Sequence, residues 1–167
     1  MSLARQLITD LETEAAHTRT MLALLPDAQL AWRPHPKSMS VGELASHLAE
    51  TPAWLPGFLA PEFDFASMGD YKPWIGRSRA EIEAEHAKNH RVCVDELAGR
   101  DDRVLAEEWM LKNQGRLLEQ KSRAAALREM LIHHVIHHRG QLSVCYRLLG
   151  IPLPPIYGPT ADAPAIG

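Results

Sequence analysis

A chain of 167 residues with 46% hydrophobic and 23% charged residues has the size and composition of one folded domain, which excludes disordered, collagen-like and low-complexity classes. A formal net charge of −3 without any Lys/Arg cluster leaves no electrostatic footprint for a phosphate backbone, so no nucleic acid partner is expected. The apolar runs are a few residues long, far below the ~20 that span a bilayer, so no membrane is expected either.

The chain opens Met1-Ser2-Leu3-Ala4-Arg5-Gln6 and reaches Asp10 and Glu12 where a signal peptide would need an apolar stretch, which predicts a cytoplasmic protein. Its two cysteines, Cys93 and Cys145, are too few for a disulfide framework and are expected to be reduced thiols. An interior proline costs a helix ~3 kcal/mol, so proline-free stretches mark where long helices can run. None precedes Pro26, and none lies between Pro73 and Pro152.

Leu3, Leu7, Leu11, Thr18, Met21 and Leu25 recur at steps of three, four or seven, which predicts a first helix ending at Leu25-Pro26. Ser40-Val41-Gly42-Glu43 fits a capping box, so a second helix starts there, with Val41, Leu44, Ala45 and Leu48 on one side, and closes around Pro52 to Pro56. Residues 56–77 combine prolines, glycines and aromatics, the composition of an ordered loop packed by its own rings. A second capping box, Ser78-Arg79-Ala80-Glu81, opens a third helix that runs to about Ala98 and stops at Gly99. The segments on either side of Asn113-Gln114-Gly115 can pair as a short hairpin. Ser122 can cap a fourth helix that continues through Leu149 to Gly150. Four long helices with no substantial sheet predict an all-α fold, an antiparallel four-helix bundle, over residues 1–167.

Nine histidines stand out, four of them at His133, His134, His137 and His138. On the fourth helix Leu127, Leu131, His134, His138, Gln141, Cys145 and Leu148 form a stripe that is expected to face the core. Imidazoles four residues apart on a helix lie about 5–6 Å apart at Cβ and can chelate one metal. The spacing is H-x-x-x-H with no glutamate at the second position, so the metalloprotease motif is absent. Two rivals share that spacing: His133 with His137, on a neighbouring face with Met130, Gly140 and Val144, and His86 with His90, beside Ile82, Cys93 and Leu97. His47 lies at the edge of the apolar arc of the second helix, where it can supply a third nitrogen.

The segment from Ser40 to Glu50 with His47-Leu48-Ala49-Glu50, the run from His133 to Leu142 with His137-His138-Arg139-Gly140-Gln141, and the ending Ile151-Pro152-Leu153-Pro154-Pro155-Ile156-Tyr157-Gly158-Pro159 together resemble the DinB family across nearly the whole chain. The resemblance implies a four-helix bundle, often dimeric, that binds a divalent metal through three histidines and is related to thiol-dependent transferases and maleylpyruvate isomerases. Residue by residue, the ligands fall on His47, His134 and His138, and His133 receives no role. Gln141 can orient a ligand ring, as can Glu43 or Glu50, although Glu43 is claimed by its cap and Glu50 is expected to be solvated. Cys145 reads as a small buried hydrophobe, and Trp54, Trp74 and Trp109 as anchors that can also line a substrate mouth.

Three neutral imidazoles leave coordination positions open, the pattern of a catalytic rather than a closed structural ion. Zinc, nickel or iron fits such a set. The expected function is a divalent-metal-dependent enzyme, and the resemblance to the thiol-dependent transferases implies that a low-molecular-weight thiol attacks a small-molecule substrate. A metal-dependent hydrolase and a non-catalytic, stress-associated metal-binding dimer are the alternatives. Arg139 and Arg33 are the basic residues nearest the triad in the pattern. Val135, Leu142 and Leu149, beside the core stripe, suggest an apolar face that a homodimer would cover.

Overall fold

The computed structural model describes residues 2–163. Helix α1 (Leu3–Leu22) buries Leu7, Leu11, Thr18 and Met21, the stripe that its spacing predicts. Its first two amides donate to the Asp102 carboxylate at 2.8 and 3.1 Å, so its start is capped from a distant part of the chain. Helix α2 (Val41–Glu50) begins with the full capping box: Glu43 N donates to Ser40 Oγ at 3.2 Å, and Ser40 N donates to Glu43 Oε2 at 2.6 Å.

The second helix ends at Glu50, ahead of the expected Pro52 to Pro56, and the expected ordered loop of residues 56–77 carries more structure than that. A 3₁₀ turn (Thr51–Trp54), the short helix α3 (Leu55–Leu59), strand β1 (Glu62–Asp64) and a second 3₁₀ turn (Phe65–Met68) follow one another. Helix α4 (Arg79–Ala98) is capped by Ser78, whose hydroxyl accepts from Glu81 N, but Glu81 reaches back to Arg77 N instead of closing the second capping box. The short α5 (Asp102–Ala106) leads into β2 (Glu108–Asn113) and β3 (Arg116–Ser122), the expected hairpin. Gln114 and Gly115 both have positive φ, the geometry of a tight hairpin turn. Asp64 accepts from both of their amides, at 2.9 and 2.7 Å, and β1 pairs in parallel with β2 to give a three-stranded sheet in the order β1-β2-β3. Sequence pattern missed β1 because its partner is 48 residues downstream, Glu62 facing Met110, and it has only three residues of its own.

The last long helix is one rod made of α6 (Arg123–Leu127), a π-helical turn (Arg128–His133) and α7 (His134–Leu148). The π turn takes up extra backbone, so a phase extrapolated from Leu127 and Leu131 fails beyond it. The buried row of α7 is Val135, Arg139, Leu142, Cys145 and Tyr146, while Gln141 and Leu148 of the expected core stripe are exposed and His134 and His138 are half-buried. Burial of Val135 and Leu142 also removes the open face suggested for them; the exposed apolar residues of this helix are Val144 and Leu148.

Two apolar cores show how the four-helix bundle runs. One gathers Leu7, Leu11, Leu55, Leu97, Leu127 and Leu131; the other gathers Met21, Leu22, Val41, Leu44, Ile82 and Tyr146. Thus α1 and the last rod run from the first core to the second, and α2 and α4 run the opposite way. Antiparallel pairs α1/α4 and α2/α7 pack side by side, and the remaining neighbours α1/α7 and α2/α4 are parallel. Consecutive helices α2 and α4 point the same way, so residues 51–78 must travel the length of the bundle. Gly76 pins that crossover by donating to Ser46 Oγ at 3.0 Å, and a Cβ there would meet Ile82 Cγ1 at 2.4 Å.

Between the residues of the two cores, α1 carries buried Glu14 and Thr18 and α4 carries buried His86 and Asn89, and Arg139 of α7 reaches this layer through Glu14 and Thr18. Arg139 donates to Glu14 Oε2 at 2.5 Å, to the Glu14 carbonyl at 3.1 Å and to the Tyr157 hydroxyl at 2.5 Å. Burial works to raise the Glu14 pKa, but the Tyr157 and Arg139 hydrogen bonds outweigh it and hold the carboxyl below its usual range. Asn89 spans to the Ala49 carbonyl at 3.0 Å and ties α4 to α2.

Truncating Arg139 to Met leaves Glu14 buried and uncompensated, so thermal or urea unfolding should show a loss of about 3–5 kcal/mol. Pairing it with Glu14→Gln should recover much of that loss. His86 is only 3% exposed and its pKa is pushed down to about 4 by burial, then by the nearby His90 and Arg19 charges. Between pH 6.5 and 4 the unfolded chain takes up a proton there that the folded chain does not, so stability should fall with acidification across that window, by about 3 kcal/mol for this group. A His86→Gln variant should have a flatter stability profile over the same range.

Candidate metal centre

His47 is on α2 one residue after Ser46, whose hydroxyl donates to the Gly42 carbonyl, and four before Thr51, whose hydroxyl donates to the His47 carbonyl at 2.6 Å. Both bonds stiffen the last turn of α2 where the imidazole leaves it. Across the groove, His134 and His138 project from α7 one turn apart. His47 Nε2 and His134 Nε2 lie 2.8 Å apart, and the His47 ring is 4.4 Å from that of His138. One nitrogen from each of the three falls within 4.8 Å of the others, and among the described residues this is the one such group of His, Cys, Asp or Glu side chains.

The orientation is supported from outside the triad. Gln141 Oε1 lies 2.8 Å from His138 Nδ1, so that nitrogen carries the proton and Nε2 keeps its lone pair for the centre. Burial, followed by the mutual influence of the rings, lowers the pKa of His47 and of His134 to about 4, and burial lowers that of His138. All three rings are therefore neutral near pH 7. Neutral nitrogens converging without a carboxylate or a cation between them fit a divalent ion.

The other candidates separate cleanly. His133 and His137 are exposed, and His137 bonds only Gln141, at 3.1 Å. His86 and His90 stack in parallel 6.1 Å apart, away from the triad, with no third ligand beside them among the described residues. Glu43 stays in its cap and pairs with Arg33 at 3.3 Å, so it does not orient His47. Glu50, expected to be solvated, instead accepts from the Tyr71 hydroxyl and buries its other carboxylate oxygen without a partner. Tyr71 is pushed up to about 12 by burial and by that bond, so it remains a donor. Neither basic residue pointed to in the sequence serves the centre, since Arg139 is turned onto Glu14 and Arg33 onto Glu43.

Two cavities flank the triad. On the His138 side one of about 440 Å³ and mixed character is lined by Lys37, Ser38, His138 and Gln141 together with Leu44 and the buried Cys145. On the opposite side an apolar one of about 350 Å³ is walled by Trp54, whose ring is 5.1 Å from His47 and 5.4 Å from His134. Lys37 and Ser38 carry no motif, and only the fold brings them to the histidines. The aromatic composition of residues 56–77 was the available signal for the second cavity.

Among curated proteins, none matches the chain. Solved structures do. A DinB-like protein from Bacillus cereus is 25% identical, with 90% of this chain and 95% of that one covered and a TM-score of 0.69. YjoA, a DinB-like protein from Bacillus subtilis, is 19% identical, with 91% and 97% covered and a TM-score of 0.68. YfiT from Bacillus subtilis, described as a "probable metal-dependent hydrolase with an unusual four-helix bundle topology", is 17% identical, with 89% of each chain covered and a TM-score of 0.68. The parallel α1/α7 arrangement found here is one in which consecutive helices do not simply alternate. With the DinB family model matching residues 1–165, the chain belongs to the DinB family.

Proposed function

We propose that this protein is a divalent-metal-dependent enzyme in which His47, His134 and His138 hold the ion and a low-molecular-weight thiol serves as nucleophile toward a small-molecule substrate. The observation that carries the reading is the convergence of three neutral imidazoles without a fourth protein ligand among the described residues, beside two cavities. A divalent zinc, nickel or iron ion bound there supplies Lewis acidity that makes a thiol or water nucleophilic near neutral pH.

The residues around the triad have distinct tasks in this reading. Gln141 holds the His138 Nδ1 proton and fixes the ring. Lys37 offers a positive charge to an anionic group on the thiol, and Ser38 offers a hydroxyl beside it. The thiol gives up its proton to solvent water, its sulfur bonds to the electrophilic carbon of the substrate, and the displaced group leaves with the electron pair of the broken bond and takes a proton back from solvent. The buried free thiols Cys93 and Cys145 fit a reducing cytoplasm, and among the described residues no helix is long and apolar enough to cross a membrane. The description of YfiT favours a second reading, hydrolysis, in which water takes the place of the thiol in the same cavity. A purely structural clamp would have a sealed, filled site, whereas His138 here lines a cavity of about 440 Å³.

Elemental analysis should find about one divalent metal per chain, lost in His47→Ala, His134→Ala and His138→Ala and kept in His133→Ala and His86→Ala. Because burial pushes the pKa of His47 and of His134 down to about 4 from the usual 6.5, proton competition at these two rings should set in only as pH approaches 4 to 5, and metal content measured across that range checks it. Metal-loaded protein should turn over electrophiles only with an added thiol, and Lys37→Ala should raise the KM for an anionic thiol about tenfold (about 1.4 kcal/mol). Thiol-independent cleavage of simple esters or amides would select the hydrolase. Unfolding on chelation, read by circular dichroism, would select the clamp and end the enzymatic reading.

A further inference from the structure

The apolar cavity joins core side chains, Phe58, Trp109 and Leu111, to parts that lie mostly outside the four long helices. Phe63 and Phe65 come from β1 and the turn after it, Met68 and Tyr71 from the continuing crossover, and Met130 from the π turn immediately before His134. Three of its rim residues leave large apolar side chains in water: Phe65 is 43% exposed, Met68 37% and Tyr71 44%. Aromatic surface left wet around a concavity of about 350 Å³ marks a place where an apolar group is received, and the volume is that of a small-molecule pocket. Two polar groups of its lining have partners: Trp109 Nε1 donates to the Gly57 carbonyl at 2.9 Å, and the Tyr71 hydroxyl donates to Glu50. Trp54 is both the wall of this cavity and the ring packed against His47 and His134.

We propose that this chamber binds an aryl or bulky alkyl group of the substrate, with Trp54 as the shared wall that brings the attached reactive end to the edge of the His47–His134–His138 triad. The class of substrate is then a hydrophobic small molecule with its electrophilic carbon at one end, and the segment 62–71 sets its selectivity. This rests on the reading of the triad as a metal centre, and the two can fail separately.

The uncharged fluorophore N-phenyl-1-naphthylamine should bind the whole chain saturably with one site. Ala53→Trp, which fills the cavity from an exposed position, and Phe65→Ala, which strips its rim, should each weaken the Kd at least fivefold with helical content unchanged. His138→Ala should empty the metal centre and leave fluorophore binding intact, so a failed metal reading does not disguise itself as a failed chamber. In cobalt-loaded protein the visible spectrum should respond to 3-phenylpropionate at concentrations at least tenfold below those needed for acetate, and Ala53→Trp should erase the difference. Absence of saturable binding, wild-type affinity in both variants, or equal response to acetate and the aryl acid would overturn the proposal. So would fluorophore release on raising protein concentration, the sign of a second copy covering the rim.

Discussion

The rotational phase of the last helix is set by Arg139. A guanidinium buried to 3% exposure must keep its partners, and Glu14, Thr18 and Tyr157 provide them from α1 and the C-terminal segment. An α-helix turns about 100° per residue, so once Arg139 points at α1 its predecessor His138 is carried round toward α2. His134, one turn earlier, follows it. The site is therefore placed by an ion pair that touches neither the triad nor either cavity, and the π turn before it absorbs the mismatch between this phase and the phase of α6.

That ion pair belongs to a polar layer between two apolar cores. Leu7, Leu97 and Leu127 close one side and Met21, Leu44 and Tyr146 the other, so the layer is clamped from both ends. Buried polar groups contribute little net stability, and a uniformly apolar interior would hold the helices as well. What the layer provides is register: Asn89 on the Ala49 carbonyl locates α4 against α2, and Arg139 on Glu14 locates α7 against α1. The triad sits in the remaining seam, between α2 and α7, at the height the other contacts dictate.

The direction of the helices has a second consequence. Because α2 and α4 run the same way, the chain must return along the bundle between them, and the return segment has to bury something on its way. It pairs β1 with β2, anchors the hairpin turn through Asp64, and folds Phe63, Phe65 and Tyr71 over Trp54. A connection forced by topology thus becomes one wall of a cavity at the histidines. On the other flank, the loop before α2 brings Lys37 and Ser38 to His138, so the two sides of the seam differ in polarity.

Local chemistry determined a good deal of this protein without any tertiary information. Prolines and caps bounded the helices, since a missing amide or a capping Ser acts within one turn; Ser40 with Glu43 and Ser122 behave as their spacing requires. Spacing left several histidine pairs open, and it was the resemblance to the DinB family, carried by the motifs around His47 and before Arg139, that pointed to the three histidines the structure brings together. Tertiary structure decided what spacing could not reach. The core face of the last helix shifted because Arg139 found Glu14 some 125 residues earlier and a π turn interrupted the 3.6-residue period. Strand β1 formed because β2 offered it an edge, and Glu50 left solvent because Tyr71 closed over it. Periodicity measures burial along one helix, whereas a site in a seam depends on which neighbour each helix acquires, and that is settled only when the whole chain packs.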